Sequence, residues 1–417
     1  MLNLNRVIWK LTWVRRDSLD NHSLTELINA QPERTALDQL FYTDADIYRR
    51  DIESVYLKSW LYAGHISEIP SVGDWLLFEM AGESVIVVRS GESEVNALIN
   101  VCRHRGSKIC LRSSGDSRKL VCRYHGGSYK LDGGLHSAAH MNESFDKSGI
   151  RLKSIHAEVL QGMVYVNFAN QPAPFEPVRQ ALDECLQPYR LDKAKVAHRQ
   201  TYSIDANWKL SVENYTECYH CAPAHPEYSR GHSLAKPGAR TSEMMQEVMG
   251  RAKTCGLSEK SVNRVYLEEE GFGTGYAFER YPLWRGHVTG SDDGQPVAPL
   301  MGRIGDYDGG TTDFQVGPVS FALAYCDYVV IYRFTPVSVN RSECNISWLI
   351  NGDAEEGRDY DKARLTWLWD VTTLADKRII EYNAEGVNSR YYEPGPYSDM
   401  EEYTWKFMSW YLQAIKP

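Results

Sequence analysis

No stretch of this 417-residue chain comes near the roughly twenty consecutive apolar residues of a helical membrane span, so a membrane partner is not expected. Positive charge is short as well: 46 Lys and Arg stand against 55 Asp and Glu, a formal charge of −9. A nucleic-acid partner, which calls for clustered basic residues, is not expected either. Nine cysteines are odd in number and scattered, which argues against a disulfide framework. Cys110, Cys185, Cys218, Cys221, Cys255, Cys326 and Cys344 read as free, mostly buried thiols, in keeping with a reducing cytoplasm. The start of the chain, MLNLNRVIWKLTWVRR, lacks the unbroken apolar core of about 7–15 residues of a secretory leader, because Arg6 and Lys10 interrupt it. It reads as an arm that packs on its own protein or on a neighbouring subunit.

The remaining composition is ordinary, with 43% hydrophobic and 24% charged residues, and the length suits two domains. Leu24, Leu27, Ile28, Leu37, Leu40 and Phe41 follow a helical pattern between Ser23 and Asp51. From about Trp60 the chain changes to short apolar runs: 75–78, 84–88, 95–101, 120–121 and 162–168. Gly- and Pro-bearing turns separate them, which predicts a small antiparallel β-domain. Pro172, Pro174 and Pro177 mark a boundary before a larger region of mixed helices and strands. The expected division is a helical arm over 1–55, a β-domain over 56–170 and an α+β domain over 171–417.

Two near-identical loops carry the first chemistry: Cys102-Arg103-His104-Arg105-Gly106 and Cys122-Arg123-Tyr124-His125-Gly126, with seventeen residues between His104 and Cys122. Each offers one thiolate and one imidazole. That is the ligand set of a Rieske [2Fe–2S] cluster, in which two histidines replace two cysteines on one iron and raise its potential. A Cys₂His₂ zinc site is the alternative, although zinc sites more often take Cys–Cys and His–His pairs at loop spacing. The glycines let backbone amides approach the sulfurs closely, and such hydrogen bonds tune the potential.

A second constellation runs from Asn207 through Glu213, Asn214, Glu217 and His220 to His225. Glu217 and His220 are three apart, so on a helix they share a face. Pro223 would bend or end that helix and swing His225 back toward His220. Two histidines and a carboxylate on one face of an iron, with other positions open, form the facial triad of O₂-activating non-haem Fe(II) enzymes. Alone, two histidines at this spacing are weak evidence; beside a one-electron relay they gain weight, because such an iron consumes electrons singly.

Taken together, these residues resemble the catalytic (alpha) subunit of the Rieske non-haem iron oxygenases, over nearly the whole chain. The resemblance implies an N-terminal Rieske domain and a C-terminal helix-grip (START-like) domain around mononuclear Fe(II), hence an α+β fold. The inter-loop disulfide of the respiratory bc complexes is ruled out by Ser107 and Tyr124. The resemblance further implies a ring of subunits, usually a homotrimer, in which His125 of one subunit faces Glu217 of the next and Glu217 contacts His220. Electrons would come from a flavin- and ferredoxin-type reductase using NADH or NADPH. Asn214 matches the family's Asn upstream of the bridging acid. Glu217, where most ring-hydroxylating members carry Asp, resembles the branch that oxidises quaternary ammonium compounds: glycine betaine, stachydrine and carnitine. That branch would hydroxylate an N-methyl group and release formaldehyde. An aromatic ring-hydroxylating or O-demethylating oxygenase is the nearest alternative, and a purely electron-transferring Rieske protein a more distant one.

The family's third iron ligand is an Asp near the start of a helix, five residues before a Glu. That selects Asp376, ahead of Glu381, with Asp370 as the second candidate. Leu374, Ile379 and Ile380 fit that helix, with Gly386 as its stop, and a competing reading makes Thr373 its N-cap and Asp376 the capping-box acid. A quaternary ammonium cannot donate hydrogen bonds and would be held by aromatic faces; 26 Tyr and 11 Trp are available, most of them core residues.

Overall fold

The computed structural model describes residues 19–142, 144–232, 239–265 and 275–417, with the backbone alone for 239–242 and 262–265. The expected N-terminal arm, through Arg16, lies outside the described residues. The stretch read as helical holds three short helices, Asn21–Ala30, Gln39–Thr43 and Ala45–Asp51. Pro32 forces Gln31 into an extended conformation and ends the first. Aspartates start all three: the carboxylates of Asp20, Asp38 and Asp44 accept from the backbone N–H groups of Ser23, Leu40 and Ile47. These helices are tied to the far end of the chain. Asp51 accepts from Tyr411 Oη at 2.7 Å and Trp208 Nε1 at 3.1 Å, and forms an ion pair with Lys209 in which both side chains are 0% exposed.

The N-terminal half is a seven-stranded antiparallel sheet. Its strands lie in the order Leu61–His65, Met163–Asn167, Ser154–Leu160, Val95–Ile99, Glu83–Arg89, Asp74–Met80, Ser114–Asp116. Glu83–Arg89 is buried on both faces, and its side chains alternate between two cores. Val85 and Val87 join the main core, while Ile86 and Val88 sit beneath the loops of Cys102 and Cys122. A small sheet of Leu120–Val121, Ser128–Tyr129 and Leu135–Ser137 carries the second loop.

The C-terminal half is a second seven-stranded antiparallel sheet, ordered Ala194–Ile204, Arg341–Asn351, Tyr328–Ser338, Ser320–Ala324, Gly310–Val316, Tyr276–Pro282, Val262–Val265. Ser320–Ala324 is buried on both faces. Phe321 and Leu323 face the 26-residue helix Lys362–Val387, and Ala322 and Ala324 face the helix Glu176–Leu186. A long helix gripped by an antiparallel sheet agrees with the α+β reading. Among the described residues no helix is long and apolar enough to cross a membrane. All nine cysteines are free; Cys218 is half-buried and the others buried.

Candidate metal centres

The two cysteine–histidine loops fold as a matched pair. Each closes by two backbone bonds: Cys102 N–H to Ser107 O and Gly106 N–H to Cys102 O in one, Cys122 N–H to Gly127 O and Gly126 N–H to Cys122 O in the other. Gly106 and Gly126 take φ of +79° and +73°, a conformation in which a side chain would be strained. The result places both cysteines in the protein and both histidines, exposed, at the tip. The two Nδ1 atoms approach to 3.2 Å. A cavity of about 200 Å³ opens between Cys102, His104, Cys122 and His125. Tyr129, which the sequence did not single out, holds the floor: its hydroxyl lies 3.2 Å from Cys102 Sγ and accepts from Arg103 N–H at 3.0 Å. Burial would raise the Cys102 thiol, but the Tyr129 hydroxyl, the backbone amide of His104, Cys122 and the amide of Arg105 outweigh it and hold the thiol below its ordinary range. Two sulfurs and two imidazole nitrogens converging on one cavity fit a histidine-ligated [2Fe–2S] cluster.

The second centre departs in detail from the expectation. Glu217 and His220 are not on a helix. The helix Trp208–Tyr215 ends before them, and they form the turn that leads into the short helix Cys221–Ala224. Glu217 clamps this turn itself. One oxygen meets His220 Nδ1 at 2.5 Å, and the other accepts from the backbone N–H groups of Tyr219 and His220. His225 does swing back, to a ring separation of 5.0 Å from His220. The cause is Pro226 rather than Pro223. Pro226 opens the helix Pro226–Gly231 and keeps His225 out of helical conformation, at φ −130° and ψ 73°, whereas Pro223 lies within the preceding short helix.

Asp376 reaches the same point from 151 residues beyond His225, on the long helix. It is mid-helix, not near a start. The N-cap is Asp361, whose side chain accepts from Arg364 N–H, and Thr373 is an interior residue 3.1 Å from Tyr332 Oη. The capping reading is therefore overturned, and the helix runs one residue past Gly386. Asp370, six residues earlier, points elsewhere and accepts from Tyr202 Oη. Asp376 Oδ1 lies 2.8 Å from His225 Nε2 and 3.2 Å from His220 Nε2. Asn214 Nδ2 is 3.4 Å from His220 Nε2.

Despite that proximity, Asp376 Oδ1 and both nitrogens of His225 are shielded from solvent and make no hydrogen bond of acceptable geometry. Donor atoms that converge without bonding one another fit a cation. Burial lowers the basicity of His220, but Asp376 and Glu217 outweigh it and raise its pKa to about 10. Burial likewise pushes Asp376 up, and the two imidazoles still hold it below its ordinary value. With Nδ1 facing Glu217, His220 presents Nε2 to the metal position, the arrangement in which a carboxylate orients a ligating imidazole. Cys221 Sγ also lies within 4.8 Å of the imidazole donors. Asp376 is nearer, and an oxygen–nitrogen set with open positions suits Fe(II).

The cavity at this centre, about 90 Å³, is walled by Tyr215, Tyr228, Tyr332 and Trp369. Thr372 also lines it, one helical turn before Asp376; its hydroxyl is shielded and has no hydrogen-bond partner. Sequence reading missed these residues, although positions 369, 372 and 376 would share a face had the helix been extended upstream of Thr373.

Comparison with known proteins matches the two halves of the chain to two domain families. Residues 59–155 match the Rieske [2Fe-2S] domain, and residues 191–416 match the ring hydroxylating alpha subunit (catalytic domain). The chain belongs to the Rieske oxygenase alpha subunits. It is 34% identical over 397 residues to the glycine betaine monooxygenase oxygenase subunit of Pseudomonas aeruginosa (strain UCBPP-PA14), covering 94% of this chain and 91% of the relative. It is 28% identical over 379 residues to the carnitine monooxygenase oxygenase subunit of Escherichia coli (strain K12), covering 88% and 89%. The solved structure of a quaternary ammonium Rieske monooxygenase, studied for carnitine oxidation, superposes with a TM-score of 0.72 at 20% identity over 96% of this chain and 98% of that one, a likeness of fold. This Rieske oxygenase is thus an oxidoreductase. Its cofactors are a [2Fe–2S] cluster and mononuclear iron, and NAD(P)H and flavin act through a separate reductase.

Proposed function

We propose that this Rieske oxygenase hydroxylates an N-methyl group of a small quaternary ammonium compound of the betaine type. The observation that carries the reading is the lining of the iron cavity. Four aromatic residues and three carboxylates (Glu217, Asp313 and Asp376) line it, and among the described residues no Lys or Arg does. Such a wall favours a cation that lacks N–H donors, at roughly 0.5–2 kcal/mol per well-placed ring, and disfavours an anionic benzoate. The names of the glycine betaine and carnitine relatives support the same class. The Thr372 hydroxyl offers a hydrogen bond to a substrate oxygen such as a betaine carboxylate.

Cys102, His104, Cys122 and His125 would hold the cluster; His220, His225 and Asp376 would hold the iron. When bound, the cluster would supply single electrons and the iron would supply the O₂ chemistry. Glu217 keeps the His220 ring in one orientation. In a ring of subunits, most simply a homotrimer, the exposed His125 of one subunit would meet Glu217 of the next, and Asn214 would stand beside the metal position. The surrounding rings exclude water and place one methyl group toward the open positions. In balance, the quaternary amine, O₂, two electrons and two protons give an N-hydroxymethyl cation and water. The N–CH₂OH carbon–nitrogen bond then breaks, leaving the tertiary amine, formaldehyde and a proton.

The test is turnover of the protein with a flavin/[2Fe–2S] reductase and NADH or NADPH on glycine betaine, proline betaine and benzoates. Stoichiometric formaldehyde with a betaine supports the reading. Diols or formaldehyde from the aromatic substrates alone would replace it with the ring-hydroxylating or O-demethylating alternative.

A further inference from the structure

Nothing in the metal chemistry uses Cys218 and Cys221, although they bracket the proposed iron ligand His220. Both line the iron cavity. Their sulfurs lie 2.7 Å apart, closer than unbonded sulfurs sit and short of the roughly 2.05 Å of a disulfide. The turn that Glu217 clamps sets this approach, with Cys221 N–H bonded to Cys218 O at 3.3 Å. The C-x-x-C spacing is the one that redox-active dithiols use, because it closes a disulfide with little backbone movement. The two thiols differ in access. Cys218 is half-buried at the cavity wall, and Cys221 is 3% exposed behind it.

We propose that Cys218 and Cys221 form an oxidisable dithiol that consumes hydrogen peroxide in the iron cavity and closes to a disulfide beside His220. Two-electron reduction of O₂ that is not followed by hydroxylation gives hydrogen peroxide. Cys218, the accessible thiol, attacks one peroxide oxygen; the O–O bond breaks, Cys218 becomes a sulfenic acid and water leaves. Cys221 Sγ then attacks the Cys218 sulfur; the S–O bond breaks, the S–S bond forms and a second water leaves. The two thiols lose two electrons and the peroxide gains them. The dithiol thereby removes an oxidant inside the cavity that His220 also lines, and the disulfide closes with Cys221 Sγ 3.9 Å from His220 Nε2. A thiol reductant reverses the step, so the site is a modification that records uncoupled turnover.

The experiment is peptide mass spectrometry of the purified, iron-loaded protein after graded hydrogen peroxide, with free thiols blocked at each point. No organic substrate enters it, so its outcome is independent of the substrate class proposed above. The expected result is a loss of about 2 Da confined at low peroxide to the peptide carrying both residues, regained with dithiothreitol. In Cys221→Ser the same treatment should trap sulfenic acid at Cys218, detectable with dimedone, and should carry it on to sulfinic acid. The proposal is overturned if both thiols stay blockable while other cysteines or His220 oxidise. It is equally overturned if wild-type Cys218 goes to sulfinic acid without the disulfide.

Discussion

The two centres are built in opposite ways. The proposed cluster seat is local: four donors within 24 residues, two loops of the same design, and histidines left exposed at a tip. The proposed iron seat is distributed. His220 and His225 come from a turn and a break between short helices, and Asp376 comes from a long helix far along the chain. A site that hands electrons on must be reached from outside. A site that activates O₂ must be enclosed, so its walls have to come from several elements.

That contrast gives mutations that disable one centre and spare the other. Replacing His225 or Asp376 with Ala should abolish turnover and remove one iron per chain, while the visible spectrum of the cluster stays unchanged. Cys122→Ser should do the reverse, losing two irons and the spectrum but keeping mononuclear iron. If either change removed all three irons, the independence of the two seats would be lost. Glu217→Gln should retain both centres yet slow substrate-dependent reoxidation of the reduced cluster by about 10–100-fold, in the range of losses at groups that orient a ligand. Stopped-flow absorbance measures it, and partial rescue by Glu217→Asp would separate carboxylate chemistry from simple packing.

Smaller effects test the scaffold on which both depend. Burial raises the pKa of Asp51 and lowers that of Lys209, and the charge of each partner opposes the other's shift. Lys209→Met strands a buried carboxylate and should cost about 3–5 kcal/mol, read by denaturant titration. His65 acts through pH. Its Nε2–H donates to Leu191 O at 2.9 Å and its Nδ1 accepts from Ser67 N–H at 3.2 Å, which fixes the neutral ring. Burial is the main cause that lowers its pKa to about 4. The unfolded chain therefore binds the extra proton first as pH falls, and stability of order 3 kcal/mol, present above about pH 6.5, should be lost on the way to pH 4. Melting temperature against pH should show this slope, and His65→Gln should flatten it.

The same contrast decides what could be read from sequence. The geometry of the Cys–His loops was legible almost in full, because their donor residues, turns and glycines form one contiguous signal; only Tyr129 was missed. At the iron, the adjacent histidines were legible and their local geometry was not: the sequence does not reveal that Pro226, rather than Pro223, sets His225. Asp376 was selected by family likeness, and its place in the middle of a 26-residue helix contradicted the expected start. The cavity walls were not legible. Tyr332 comes from a strand, Trp369 and Thr372 from the long helix and Tyr228 from a short one, and only the packing of sheet against helix brings them together. Glu83–Arg89 was legible as a short apolar run, but its side chains serve two cores, and which core each joins was not legible.

The central claim is that one chain carries a histidine-ligated two-iron cluster and a separate single iron. Iron and acid-labile sulfide analysis of the purified protein, paired with electron paramagnetic resonance of the reduced form, tests it most directly. The account predicts three irons and two sulfides per chain, with a reduced-cluster signal of the histidine-ligated type that Cys122→Ser abolishes. Zinc in place of iron at the cysteine–histidine loops, or two irons per chain with His220 and His225 unligated, would contradict it.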